Sequence, residues 1–87
     1  MAFSKITSKE YLILKFIIEN NGYITFECPF YAQNKDIIRS MGAKGYICSV
    51  DVKYPNRYDN IEIGVDSLGR LEYNLYEKDQ KNTLSEI

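Results

Sequence analysis

The feature that most constrains the fold of this chain is a change in its hydrophobic period near residue 45. Between residues 37 and 41 the apolar positions have helical spacing, and after Gly45 apolar and polar residues alternate as they do in a strand. A glycine at such a junction readily ends a helix, because it accepts the left-handed conformation that follows one. The sequence therefore predicts a helix over residues 35–43, N-capped by Asn34, that leads directly into a β-strand.

A second helix is predicted near the N-terminus. Thr7 and Glu10 have the spacing of a capping box, in which each side chain accepts a hydrogen bond from the backbone amide of the other residue. The apolar residues that follow cover a broad arc, so this helix is expected to be buried on more than one side. The segment Asn20-Asn21-Gly22 is expected to end it.

Strand patterns account for most of the remaining residues. Residues 23–26 favour a short strand, and alternation is found over residues 46–54, 61–65 and 71–75. Residues 66–69 are typical of a type I turn closed by a glycine bulge, which predicts a hairpin between the last two strands.

The order of these elements, αβαβββ, predicts a small α+β fold in which two helices pack on a three-stranded antiparallel meander. We expect one domain over residues 1–77 and a polar C-terminal tail over residues 78–87. The pattern leaves open whether residues 30–33 form a helical turn or a loop.

The composition argues against an enzyme. The chain has no histidine, which is the commonest general base, and Cys28 and Cys48 are too far apart for a Cys-x-x-Cys motif. The glycines near residue 45 follow a helix rather than precede one, so they do not form a phosphate loop. We expect no catalytic residue, no metal site, no cofactor and no small-molecule substrate.

No apolar run approaches the length of a membrane helix, and the first residues lack the apolar core of a secretory signal, so the sequence predicts a cytoplasmic protein. The net charge is −1, with basic residues in excess over residues 1–57 and acidic residues in excess over residues 58–87. This asymmetry fits an anionic partner at one end of the molecule. A chance fluctuation in a short chain explains it equally well.

From residue 37 to residue 76 the chain resembles winged-helix DNA-binding domains. In that family the recognition helix commonly ends in a small or charged residue, a glycine and an aliphatic or aromatic pair, as in residues 43–47 here, and a hairpin wing follows. The stretch between the first helix and Gly45 is shorter than the full helix-turn-helix of this family. The resemblance therefore implies a shortened, degenerate winged helix, and an unrelated αβαβββ arrangement is the alternative.

The resemblance implies a small transcriptional regulator that binds double-stranded DNA. The helix over residues 35–43 would meet the major groove, and the hairpin would contact phosphates. It also implies a homodimer, which would double the basic surface of a chain whose net charge is −1. The residues expected to contact DNA are Asn34, Lys35, Arg39, Lys44, Lys53 and Arg57.

The tyrosines support a different hypothesis. The chain has eight of them, a high number for 87 residues, and tyrosine suits protein interfaces because it offers a large contact area at little entropic cost. The chain would then be a phage or mobile-element inhibitor, of the anti-CRISPR kind or another anti-host factor, that binds a host protein through a tyrosine-rich, acidic surface. A purely structural homodimer is a third option. The residues expected to face the host protein are Tyr54, Tyr58, Asp59, Glu62 and Tyr76.

Overall fold

The computed structural model describes residues 4–53 and 61–85, the last five of them by their backbone alone. Three helices and three strands occupy these ranges. In chain order they are α1 (Ser8–Glu19), β1 (Tyr23–Ile24), α2 (Pro29–Ala43), β2 (Ile47–Asp51), β3 (Ile61–Val65) and α3 (Ser67–Ser85).

Helix α1 begins and ends as the sequence predicts. The Thr7 hydroxyl accepts from the Glu10 amide at 3.1 Å, and Oε1 of Glu10 accepts from the Thr7 amide at 2.9 Å, so the predicted capping box is confirmed. The helix is also buried on more than one side. One face packs against the sheet, and other faces contact α2 and α3.

Helix α2 begins earlier than predicted, at Pro29, where the missing amide proton of proline costs no hydrogen bond. Residues 30–33 are therefore helical, which answers the question that the sequence left open. Asn34 interrupts the helix with φ −122° and ψ 18°. Its side-chain amide donates back to the carbonyl of Phe30 at 2.9 Å, so the predicted N-cap role for Asn34 is wrong.

The helix ends where the sequence predicts. Gly45 has a φ of 85°, in the left-handed region, and the Tyr46 amide bonds back to the carbonyl of Met41 at 3.0 Å. Strand β2 follows at once.

The sheet has three antiparallel strands in the order β1-β3-β2. Strand β3 is central, with Ile63 opposite both Ile24 of β1 and Ser49 of β2. The predicted α+β class and three-stranded antiparallel sheet are confirmed, but the identity of the strands differs. The third strand of the sheet is the short β1, not residues 71–75.

The prediction of a strand over residues 71–75 is wrong, because these residues lie within α3. Asp66 starts this helix, since its carbonyl accepts from the Arg70 amide at 2.9 Å and its side chain accepts from the Ser67 amide at 2.7 Å. Gly69, predicted to form a bulge, instead permits close packing, because a Cβ atom there would overlap the carbonyl oxygen of Tyr46. Helix α3 continues past residue 77, where the sequence predicted that the domain ends.

The hydrophobic core lies between α1 and the sheet and extends to the buried side of α2. The core residues are Ile6, Ile13, Leu14, Ile17, Ile24, Ile38, Met41, Tyr46, Ile47 and Ile63.

In the described ranges no helix is both long and apolar enough to cross a membrane.

Candidate nucleic-acid interface

The outward side of α2 presents two cations one helical turn apart. Lys35 and Arg39 both follow the interruption at Asn34, so they belong to one regular helical segment and are separated by about 6 Å along it. Both are exposed, and neither makes an ion pair with the residues that the structure describes. The opposite side of the same segment is anchored by Ile38 and Met41 in the core.

Most other exposed side chains on α2 are short. Short side chains let a helix backbone approach a partner closely, which a helix must do to reach base edges in the major groove. The one exposed acid of this surface is Asp36, and it lies beside Lys35. The remaining exposed residues of the helix are Pro29, Ala32, Gln33, Ser40, Gly42 and Ala43.

Lys44, just past the end of α2, is committed to an internal ion pair. Its ammonium lies 3.0 Å from Oε2 of Glu10, and its side chain is 51% exposed whereas that of Glu10 is only 6% exposed. Burial acts to raise the pKa of Glu10, but the Thr7 amide and the Lys44 ammonium outweigh it and leave the pKa lowered. Lys44 therefore lies at the rim of the basic surface with its charge largely balanced.

Asn34 does not lie on the outward side of α2, so that prediction is wrong. Its side chain is buried at 9% exposure, and the amide nitrogen bonds to the carbonyl of Phe30. The physical reason is the break in the helix, since the side chain satisfies a backbone carbonyl close to the interruption. Its burial and this internal bond remove it from the outward row of Lys35 and Arg39.

Of the two predicted hairpin cations, the structure describes only Lys53. Lys53 is exposed and comes two residues after the strand ends, on the order of 20 Å along the chain from the start of β2. Arg57 lies outside the described residues, in the connection between β2 and β3. Apart from the paired Lys44, the predicted DNA-contacting cations that the structure describes thus form two groups, with Lys35 and Arg39 on the helix and Lys53 after β2.

Of the tyrosine-rich, acidic surface of the alternative hypothesis, the structure describes two members, Tyr76, which is half-buried, and Glu62, which is buried. The ring of Tyr76 stacks on that of Tyr11, with centroids 4.4 Å apart, and its hydroxyl lies 2.9 Å from Oγ of Ser8. Glu62 is 2% exposed, so its predicted outward position is wrong. The physical reason is that residues 62–64 of the central strand are all buried, which requires that both faces of the strand are covered. Tyr54, Tyr58 and Asp59 lie outside the described residues.

A stack of three tyrosine rings joins α1 to α3 instead. The ring of Tyr11 stacks on Tyr76 and also on Tyr73, with the Tyr11 and Tyr73 centroids 5.2 Å apart. The Tyr11 hydroxyl donates to Glu77 at 3.1 Å. Burial and the Glu77 carboxylate raise the pKa of Tyr11 to about 12. Tyr73 and Tyr76 are three residues apart, the spacing of one helix face, and this signal was available in the sequence.

The segment that precedes α1 also holds α3. The Lys5 amide donates to Oε2 of Glu72 at 2.7 Å, and the Ser4 amide donates to Oδ2 of Asp79 at 3.0 Å. Glu72 is 6% exposed, so the Lys5 amide satisfies a buried carboxylate. No local sequence pattern marks these contacts, because they join residues nearly 70 positions apart.

Comparisons with protein-family models, with curated proteins and with solved structures find no match for this chain. Evidence about function must therefore come from the surface itself. The feature of that surface most suited to a ligand is the pair of cations on α2, Lys35 and Arg39, which make no ion pair with the described residues, followed by the hairpin that leaves the end of that helix.

Proposed function

We propose that this chain is a DNA-binding regulator of a shortened winged-helix kind, with α2 in the major groove and the β2–β3 hairpin along the flanking backbone. The order of elements supports the proposal. Helix α1 is followed by a single helical turn over residues 29–33, a break at Asn34, a second helical segment that ends at Gly45, and then the hairpin. A one-turn first segment accounts for the short spacing seen in the sequence.

The observation that carries the proposal is the pairing of Lys35 and Arg39 on a helix whose other exposed side chains are mostly short, with Asp36 as the one exposed acid. Two cations one turn apart on the same face reach the same stretch of groove. An arginine pairs well with guanine through O6 and N7, and a lysine either contacts guanine or neutralises a phosphate. Arg39 is therefore assigned to base contact and Lys35 to base or phosphate contact.

The hairpin cations supply backbone contacts. Lys53 and Arg57 would bind phosphates, which fix the register of a protein on the duplex without carrying sequence information. Lys44 contributes less than the sequence alone implies, because Glu10 already balances its charge. Asn34 drops out of the contact set.

The net charge of −1 limits what one copy can do. Neutralised phosphates supply most of the nonspecific affinity of DNA-binding proteins, and a single chain offers few cations on this surface. We therefore place tight binding in a homodimer, where the basic surface is presented twice. The proposal keeps the cytoplasmic location expected from the sequence.

Fluorescence anisotropy with a pool of labelled duplexes, first at low salt and then over a salt series, tests the proposal. We expect the logarithm of the association constant to fall linearly with the logarithm of the salt concentration. The slope should be about 0.9 for each phosphate neutralised. Lys35→Ala should reduce this slope by about one per bound copy, and Arg39→Ala should weaken binding by about tenfold or more.

The matched control is Lys78→Ala, which removes an exposed lysine from α3. It should leave binding nearly unchanged. Absence of binding at low salt would reject the proposal, and so would equal losses from Lys78→Ala and Arg39→Ala. Retention of one host protein by a chain that does not bind duplex DNA would favour the inhibitor hypothesis instead.

A further inference from the structure

Helix α1 carries a stripe of exposed residues that borders the first turn of α2. Its residues recur at intervals of three and four, the spacing of the contact positions in paired helices. Leu12 is 56% exposed and Phe16 is 38% exposed, and a charged residue lies at each end. From the N-terminal end the members of this α1 stripe are Lys9, Leu12, Phe16 and Glu19.

The first turn of α2 widens this apolar surface. The rings of Phe16 and Phe30 stack with centroids 3.9 Å apart and an interplanar angle of 13°. Beside them runs a groove of about 300 Å³ lined partly by Lys9, Leu12 and Phe30. Leu12 and Phe16 are therefore not two isolated exposed residues. They form the hydrophobic middle of a patch that has a groove along one edge.

The α1 stripe is complementary to itself when two copies run antiparallel. Lys9 and Glu19 lie five residues on either side of position 14, and Leu12 and Phe16 lie two residues on either side of it. A two-fold axis at that position sets Lys9 of one copy against Glu19 of the other and Leu12 against Phe16. Neither charged residue has an ion-pair partner among the residues that the structure describes.

We propose that a second copy of this chain docks on the α1 stripe, with the two α1 helices antiparallel about a two-fold axis. Such an isologous contact uses the same patch on both copies, so it closes at the dimer and does not propagate into a fibre. The apolar middle supplies the burial, and the two symmetric Lys9–Glu19 pairs set the antiparallel direction. The inference depends on α1 and the first turn of α2, not on Lys35 or Arg39, and stands whether or not the chain binds DNA.

A patch built on one helix belongs to the smaller class of interfaces, below about 1,200 Å², which are characteristically weak. We therefore expect a dimer that dissociates in the micromolar range rather than an obligate one. Sedimentation velocity from about 1 μM to about 1 mM would show a concentration-dependent shift from monomer to dimer, with no larger species.

Two leucines of matched exposure locate the interface. Leu12→Glu places a charge at the centre of the α1 stripe and should weaken the dimer by about tenfold or more. Leu71, on α3, is 53% exposed, so Leu71→Glu makes the same chemical change on another surface and should leave the dimer intact. Circular dichroism of each variant checks that the fold is kept. Loss of the dimer in Leu71→Glu but not in Leu12→Glu would overturn the proposal.

A charge exchange tests the antiparallel direction. Lys9→Glu alone opposes two carboxylates at each end of the contact, and Glu19→Lys alone opposes two ammonium groups, so each should weaken the dimer about fivefold. The double variant should restore the original affinity, because the pairs are re-formed with their signs reversed. The proposal would be overturned if the double variant lost as much dimer affinity as the two single variants combined. A chain that stays monomeric at about 1 mM would also overturn it.

Discussion

Two buried glutamates in this protein lie in opposite chemical surroundings. Glu10, at the junction of α1 and α2, accepts from the Thr7 amide and pairs with the Lys44 ammonium. Glu62, at the centre of the sheet, is even less exposed, at 2%. Its Oε2 atom has no hydrogen-bond partner in the part of the chain that the structure describes.

The difference shows that burial alone does not decide whether a carboxylate stabilises a fold. A buried charge costs free energy unless hydrogen bonds and an opposite charge compensate it. At Glu10 the compensation is local and comes from a capping box plus a cation at the end of the adjacent helix. At Glu62 the neighbouring residue across the strand pair is Val50, and among the described residues no cation or amide compensates Oε2.

The largest effect is expected at Glu10. Glu10→Ala removes the acceptor of the Thr7 amide and leaves Lys44 without its partner, so it should lower the free energy of unfolding by about 2–3 kcal/mol. Urea denaturation followed by circular dichroism measures the loss. Lys44→Ala should cost less, because the lysine side chain is half exposed while the glutamate is not. A loss below about 0.5 kcal/mol for Glu10→Ala would remove the contrast between the two sites.

The second prediction has the opposite sign. Glu62→Gln keeps the size of the side chain but replaces a buried carboxyl group whose Oε2 lacks a described partner with an amide, which costs less to bury, so it should raise the free energy of unfolding by about 1–2 kcal/mol. The matched control is Glu10→Gln, the same change at the compensated site, which should destabilise the protein because an amide cannot form the ion pair with Lys44. If Glu62→Gln is the more destabilising of the two, the Glu62 carboxylate is held by a favourable interaction and the comparison fails.

These sites also separate what the sequence predicts from what it does not. The capping box of Thr7 and Glu10 lies within four residues, and the end of α2 at Gly45 depends on one residue type, so both follow from local patterns. The burial of Glu62 depends on β3 becoming the central strand, and that position is fixed by β1, almost 40 residues earlier. Alternation within β3 carries no information about it.

Helix α3 fails to appear in the sequence pattern for a related reason. Leu71, Tyr73 and Leu75 alternate like a strand, yet Leu71 and Leu75 are also one helical turn apart, so the local signal is ambiguous. What settles it is contact between distant elements, including the fit of Gly69 against Tyr46 and the stacking of Tyr73 on Tyr11. The same contacts take Tyr76 out of the predicted protein-binding surface.

For the candidate interface, the sequence identifies which residues are cationic but not which of them are free. Lys35 and Arg39 remain available on α2, whereas the ammonium of Lys44 is paired and Asn34 is turned inward. Each of the last two outcomes depends on one contact, with Glu10 or with the Phe30 carbonyl. The helical pattern over residues 35–43 shows neither, because both follow from how the chain continues towards its N-terminus.

The smallest expected effect concerns pH and sharpens the contrast at Glu10. The pKa of Glu10 is lowered from the ordinary value of 4.5. Burial raises this pKa and the contacts with Thr7 and Lys44 lower it, so the two effects partly cancel. A carboxylate with a lowered pKa in the folded state stabilises the fold above its unfolded pKa. That stabilisation is lost as the pH falls through the folded value.

The difference in unfolding free energy between the wild type and Lys44→Ala should therefore be constant near pH 7 and shrink below pH 4.5. Because both proteins share every other carboxylate, the difference isolates the Glu10–Lys44 pair. A difference that stays constant down to the acid transition would show that Lys44 stabilises the fold by packing its aliphatic stem and not by pairing with Glu10.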